Sequence, residues 1–261
     1  VQLADWQGLV TGRTDPSNPL IVEVPLGQSP AGSSGAFLVE ASDRKRWWVK
    51  PLNNKQSPRI VVSEHVVGRM ARLIDAPACE VAVVRIPSAL AGWEFRQGAR
   101  LAPGLAHASM AVDAALESRS LESRDRDDNR KRHAGVYALH DWCWGEDQQW
   151  LYSETGDRKL FSHDHGHYLP NSTGWSEASL TQQVDMAHAL HFPADGIDRA
   201  ESERIAARLQ TITRTELQEI LLGVPISWPV TDRELEVLGF FLGRRAVQVA
   251  GRLQAMMARL P

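Results

Sequence analysis

Two acidic, histidine-rich clusters carry most of the chemistry that this chain offers. They are His140-Asp-Trp-Cys-Trp-Gly-Glu-Asp147 and Ser162-His-Asp-His-Gly-His-Tyr168. Between them lies a stretch with the layout of a β-hairpin, its arms Trp150-Leu151-Tyr152 and Lys159-Leu160-Phe161 and its turn Glu154-Thr155-Gly156-Asp157. Paired strands would bring Asp147 and Asp164 together at the open end, as a metal–phosphate site requires. The histidines offer a second chemistry. His163, His165 and His167 alternate, so on a strand they share one face, with Asp164 on the other. With His140 and Asp141 they supply enough nitrogen and oxygen donors for the three or four ligands of a metal-dependent hydrolase. Their spacing matches no mechanism-bearing pattern such as HExxH.

The upstream residues favour phosphoryl transfer. That chemistry needs a flexible cover over the phosphates and a lysine on them, with an acid to hold the lysine. It also needs a carboxylate at the attacking hydroxyl and oxygen ligands for Mg²⁺. The chain supplies these in order. Gly32, Ser33, Ser34 and Gly35 lie in a Gly/Ser loop between strands, whose amides can cradle phosphate oxygens, although Gly and Ser equally suit an ordinary turn. Lys50 closes an apolar strand, where a lone lysine would simply snorkel to the surface. Glu64 sits in the first turn of a helix that Ser63 caps, placed either for the helix dipole or for Lys50. Asp147, Gln149 and Asp164 complete the set. Asp141 competes with Asp147 for the role of base. It is followed by Trp-Cys-Trp, the end of a buried helix, and is better read as a packing acid bonded to a neighbour.

The elements that must position these groups fall into two halves. Leu20–Val24, ended by Pro25, then Ala36–Glu40 and Arg46–Lys50 are short strands, the last two joined by the polar turn 42–45. The helix beginning at Ser63 shows one apolar stripe, Val66, Val67, Met70, Ala71 and Ile74. Glu80–Ile86 is a further β-branched strand, Trp93–Arg96 a weaker one, and Gly98 to Gly104 a loop. Residues 117–134 are highly charged with a single leucine, the pattern of a solvated helix face or a mobile loop. After Pro170 the chain turns helical. Helix starts are marked by Asp198 with Glu201, Thr213 with Glu216 and Thr231 with Glu234, and the second of these helices is ended by Gly223 and Pro225.

With 261 residues and nine tryptophans the chain can bury a substantial core. A net charge of −3 leaves no basic footprint for nucleic acid. Cys79 and Cys143 form no CxxC pair and fit two buried, reduced thiols in a cytoplasmic protein. No apolar run approaches a membrane span, and the first residues lack the layout of a signal peptide.

The chain resembles the HipA-like branch of the protein-kinase-like fold. The residues carrying this are Trp48-Val-Lys-Pro51, Ser63–Ile74, His140-Asp-Trp142 with Gly145-Glu-Asp147, and Ser162–Tyr168. Val224-Pro-Ile-Ser-Trp228 and Arg244-Arg245 add to it. The resemblance implies a two-lobed α+β fold, with residues 1–105 a nucleotide-binding lobe made of an antiparallel sheet and one helix. Residues 106–261 would be a helical lobe with the catalytic hairpin, and ATP with Mg²⁺ (Mn²⁺ as an alternative) would lie between the two. It further implies that Asp164 binds metal, Asp147 is the catalytic acid, Lys50 is the nucleotide lysine with Glu64 its partner, and Gly32–Gly35 cover the phosphates. Phosphorylation of Ser33 or Ser34 would eject that loop. The acceptor would be a protein or small-molecule hydroxyl. One departure stands out: the family's Asp-Arg-His-x-x-Asn is here Asp147-Gln-Gln149-Trp, with no Asn. Either Gln149, which offers the same carbonyl oxygen on a longer stem, takes the second metal position, or the chain binds nucleotide without turning it over.

Overall fold

Alternating burial along Phe37–Ala41 and Arg46–Lys50 puts Phe37, Val39, Ala41, Trp47 and Val49 on one inner face, and the strands curl around it. The computed structural model describes residues 2–28, 35–96, 99–188, 190, 194 and 196–259. Its elements run β1 (Leu20–Gln28), β2 (Phe37–Ala41), β3 (Arg46–Lys50), α1 (Ile60–Leu73) and β4 (Val81–Ile86), then β5 (Glu94–Arg96), β6 (Ala99–Arg100), β7 (Gly104–Met110) and β8 (Ala115–Ser118). There follow α2 (Asn129–Trp142), β9 (Trp150–Ser153), β10 (Leu160–Ser162), α3 (Glu177–Gln183), α4 (Arg199–Thr211), α5 (Arg214–Leu222) and α6 (Asp232–Met257).

The first sheet, expected as an antiparallel sheet, is a closed barrel in the order β1-β2-β3-β7-β4. Closure comes from a short parallel pairing of Leu20 and Ile21 in β1 with Val84 and Arg85 in β4. β1 runs through Pro25, which sits beside a register shift between Pro25 and Gly27, a place where a missing N–H is tolerated. The expected loop at 98–104 instead holds β6 and the start of β7. β7 pairs with β3 on one side and β4 on the other. It sets His107 opposite Lys50.

α1 begins at Ile60, three residues before the expected Ser63 cap, with Arg59 at the N-cap. Ile60, Val61 and Val62 are all fully buried, and this burial outweighs the β-preference of branched side chains. Glu64 therefore lies inside the helix rather than in its first turn. The stripe residues Val66, Val67, Met70, Ala71 and Ile74 all join the large core, which extends into α2, α4, α5 and α6. The three expected cap pairs are present: Asp198 accepts from Glu201 N, and Thr213 and Thr231 form capping boxes with Glu216 and Glu234.

The hairpin pairs Trp150 with Ser162 and Tyr152 with Leu160. The charged stretch from Glu117 supplies a third strand, β8, on the free side of β9, and from Asn129 it becomes α2. The residues before β1 form a strap, with one 3₁₀ turn at Leu3–Trp6. Trp6 is fully buried against α6. Arg13 donates to Asp232 Oδ1 at 2.6 Å and to the carbonyls of Val224, Pro225 and Val230. No helix among the described residues is long and apolar enough to cross a membrane.

Two predictions follow from this packing. A Cβ at Gly239 would lie 2.3 Å from the Trp6 ring, whereas one at Gly251, on the same helix, meets nothing within 4 Å. Gly239→Ala is expected to lose about 1–3 kcal/mol and Gly251→Ala to gain roughly 0.5–1 kcal/mol in urea unfolding; equal effects would contradict the Trp6 seat. The second concerns His65, buried edge-on to Trp228 at 5.6 Å. Burial first, then Arg69 and Arg72, push its imidazole down to about 3. The unfolded chain takes up that proton near pH 6.5 and the folded one does not, so this stability is present above 6.5 and lost as pH falls toward 3. Replacing it, His65→Phe, should make the decline of unfolding free energy from pH 6.5 to 5 shallower by about 1 kcal/mol per pH unit; an unchanged slope would count against a neutral His65.

Candidate active site

Three elements meet at the ammonium of Lys50. β3 delivers the lysine at its last residue, α1 delivers Glu64 from its second turn, and the turn after β10 delivers Asp164. Lys50 Nζ donates to Glu64 Oε1 and, at 2.5 Å, to Asp164 Oδ1. Lys50 and Glu64 side chains are 9% and 3% exposed, Asp164 26%. A lysine buried to this degree snorkels nowhere; it is held by charge. Burial alone would lower the Lys50 pKa, but Glu64 and Asp164 reverse that and hold it above its ordinary value. Asp164 resists the upward push of burial because Lys50 holds it well below the usual carboxylate range. Glu64 moves the other way: burial raises it, Lys50 opposes, and the negative charge of Asp164 adds to the rise. With both acids ionised, two carboxylates face one ammonium.

Asp164, the most exposed of the three and held ionised by Lys50, suits a hard cation that takes oxygen ligands. Asp164 itself adopts a left-handed conformation, φ 54°, at the head of a single 3₁₀ turn, His165–His167. The histidines are therefore not on a strand and do not share a face. His165 N–H donates to Glu64 Oε2 at 2.9 Å, and its Nε2 lies 2.9 Å from Ser162 Oγ. His167 Nδ1 meets Ser172 Oγ, and its Nε2 meets Gln56. Burial pushes His163 down to about 4 and His165 to about 3, so both are neutral at pH 7. Among the described residues no group of three or more His, Cys, Asp or Glu is arranged to hold a metal ion. The histidines buttress the Asp164 turn.

Asp147 lies three residues before β9. Its carboxylate accepts from Gln148 N at 2.9 Å and from Gln149 Nε2 at 2.8 Å. Gln149 thus bonds to Asp147, which turns the other end of its amide, the carbonyl oxygen, into the group available to a cation. The loop is tied to the chain beyond Asp164: Gly145 bridges Tyr168, Glu146 N–H donates to His167 O, and Leu169 N–H to Cys143 O. Of the loop expected over the phosphates, Gly32, Ser33 and Ser34 lie outside the described residues; Gly35 is buried with φ 73°.

Asp141 is the packing acid its context suggests. It ends α2 and accepts from Arg245 Nη2 at 2.9 Å and from Arg252 through both oxygens at 2.8 Å. Arg245 is fully buried, also donating to the carbonyls of Asp141, Trp142 and Met186, with Trp144 against its face. Burial brings its pKa down to about 10, against the pull of Asp141.

A family model described as HipA-like kinase matches residues 21–242. Among solved structures, the Helicobacter pylori proinflammatory kinase CtkA has a TM-score of 0.61 at 10% identity, covering 94% of this chain and 100% of its own. The Golgi casein kinase with Mn/ADP bound scores 0.48 at 10% identity, covering 99% and 78%. HipA from the Shewanella oneidensis MR-1 complex with HipB and operator DNA scores 0.39 at 10% identity, covering 96% and 67%. Identities this low speak to fold alone, and of these three only CtkA is similar enough to carry that point. No curated protein matches the chain in sequence.

Removing Asp141 would leave the Arg245 guanidinium buried without its counter-charge. Asp141→Ala is expected to cost about 3–5 kcal/mol in urea unfolding, the range for breaking one half of a buried pair; a loss under about 1 kcal/mol would mean that the backbone carbonyls satisfy Arg245 by themselves.

Proposed function

Because the chain belongs to the HipA-like kinase family, we propose that it is an ATP- and Mg²⁺-dependent phosphotransferase acting on a protein or small-molecule hydroxyl. One observation carries the reading: a buried lysine shared between a helix glutamate and the aspartate of Asp164-His-Gly. In this reading residues 1–105 are the nucleotide-binding lobe, and residues 106–261, with the hairpin and helices, form the other. Lys50 aligns the nucleotide phosphates while Glu64 keeps its ammonium in place. Asp164 and the carbonyl oxygen of Gln149 hold the divalent ion, which when bound neutralises phosphate charge. Asp147 accepts the proton of the acceptor hydroxyl. The loop containing Gly32, Ser33, Ser34 and Gly35 covers the phosphates, and the reduced, buried Cys79 and Cys143 suit a cytoplasmic setting.

A second reading, nucleotide binding without turnover, draws on the absence of an Asn between Asp147 and β9 and on the bond that ties Gln149 to Asp147. Both are tested together by incubation with labelled ATP and Mg²⁺ or Mn²⁺, alongside Asp164→Ala. The kinase reading expects label transfer by the native chain and a loss of roughly 100-fold or more in the variant, of the order seen when one transition-state stabilising group is removed. Nucleotide binding with no transfer would select the second reading. Neither binding nor transfer would overturn both.

A further inference from the structure

The Asp147 carboxylate is bonded by Gln148 N–H and the Gln149 amide, both from its own loop. Its position therefore depends on what anchors the loop, and one anchor, two residues back, is bonded on several sides. Gly145 N–H donates to His140 O at 2.8 Å. A Cβ at Gly145 would fall 2.5 Å from the His140 ring, so the backbone rests directly on that imidazole. The Gly145 carbonyl is then held from a third direction by His188, whose Nε2 lies 2.7 Å away. A carbonyl only accepts, so His188 donates from Nε2. The His188 ring is stacked on His140, with centroids 5.4 Å apart and planes at 22°, and lies against Trp144 at 4.7 Å.

His188 is itself presented by α6. Arg244 grips Asp185 through both carboxylate oxygens, at 2.5 and 3.0 Å, and Gln248 adds a bond at 2.7 Å. Arg245 Nη1 donates to Met186 O at 2.7 Å, while the same guanidinium bonds Asp141 and packs over Trp144. One helix thus fixes both the segment bearing His188 and the helix end from which the Asp147 loop departs.

We propose that His188 is a positioning residue that sets the Asp147 loop, acting from α6 through the Gly145 carbonyl. The proposal rests on the reading of Asp147 as the group that accepts the hydroxyl proton. Misplacing such a group by about an ångström is enough to cost on the order of 100-fold in rate.

Two variants separate the hydrogen bond from simple packing. His188→Phe keeps a flat ring and loses the donor; His188→Gln keeps a donor nitrogen at similar reach and loses the ring. The readouts are backbone hydrogen exchange at Gly145, Glu146 and Gln148 compared with α6, nucleotide affinity, and kcat with KM for ATP. The expected result for His188→Phe is exchange faster by roughly tenfold at the loop and unchanged in α6. Nucleotide affinity and KM should stay within about twofold while kcat falls about 10- to 100-fold, and His188→Gln should restore most of both the protection and kcat. Loop exchange and kcat at native values in His188→Phe would overturn the proposal. So would loosening of loop and α6 together with no recovery in His188→Gln, which marks a packing role. If the native chain transfers no phosphate, the kinase reading fails on that ground, and the exchange data still decide whether His188 holds the loop.

Discussion

A buried ammonium shared by two carboxylates is the constraint on which this structure turns. Lys50 costs several kcal/mol to desolvate and is tolerated only because Glu64 and Asp164 meet it. Those three residues come from a barrel strand, the helix behind it and the turn beyond the hairpin. Barrel closure, the start of α1 and the register of β9 with β10 must all be right for the charges to meet. One cation faces two acids, and the deeper of the acids, Glu64, has its pKa raised by burial and by its neighbour's charge. Lys50 and Asp164 are the firmly charged groups of the three, and Asp164, the most exposed, is the one a cation could reach.

A second buried ion cluster lies at the far end of the Asp147 loop. Asp141 with Arg245 and Arg252 joins the end of α2 to α6. The loop from Cys143 to Gln149 is slung between these two clusters and is stitched to the Asp164 side by the Gly145–Tyr168 bridge. Both pairs are of the kind that contribute little net stability when complete but are costly to break. Their value here is in fixing where the two aspartates stand relative to each other.

Local signals in the sequence translated directly into structure. The Asp198, Thr213 and Thr231 caps need only residues three positions on, and each is formed. The hairpin arms and the strand ending at Lys50 were likewise legible, as short apolar, aromatic-rich runs flanking polar turns. What failed depends on partners distant in sequence. Gly104-Leu-Ala-His-Ala-Ser-Met110 has little β-preference and is a strand because β3 and β4 flank it. Ile60-Val-Val62 lies before the expected cap at Ser63 and is helix because it is fully buried. The alternating histidines suggested one face of a strand, whereas the left-handed Asp164 turns them into a 3₁₀ bend. At the site, Lys50 and Glu64 could be paired on paper because their order matches a known chemistry. His188 could not: it lies in an unremarkable stretch, and only the path of α6 brings it to Gly145. Arg244 and Arg245 were the visible trace of that path.

Lys50, Glu64 and Asp164 are proposed to frame a nucleotide–metal site. A crystal grown with a non-hydrolysable ATP analogue and Mg²⁺ tests it most directly. The triphosphate is expected at Lys50, with the ion bonded to Asp164 and to the carbonyl oxygen of Gln149. Nucleotide bound elsewhere, or an ion held by the histidines with Asp164 still closed on Lys50, would contradict it.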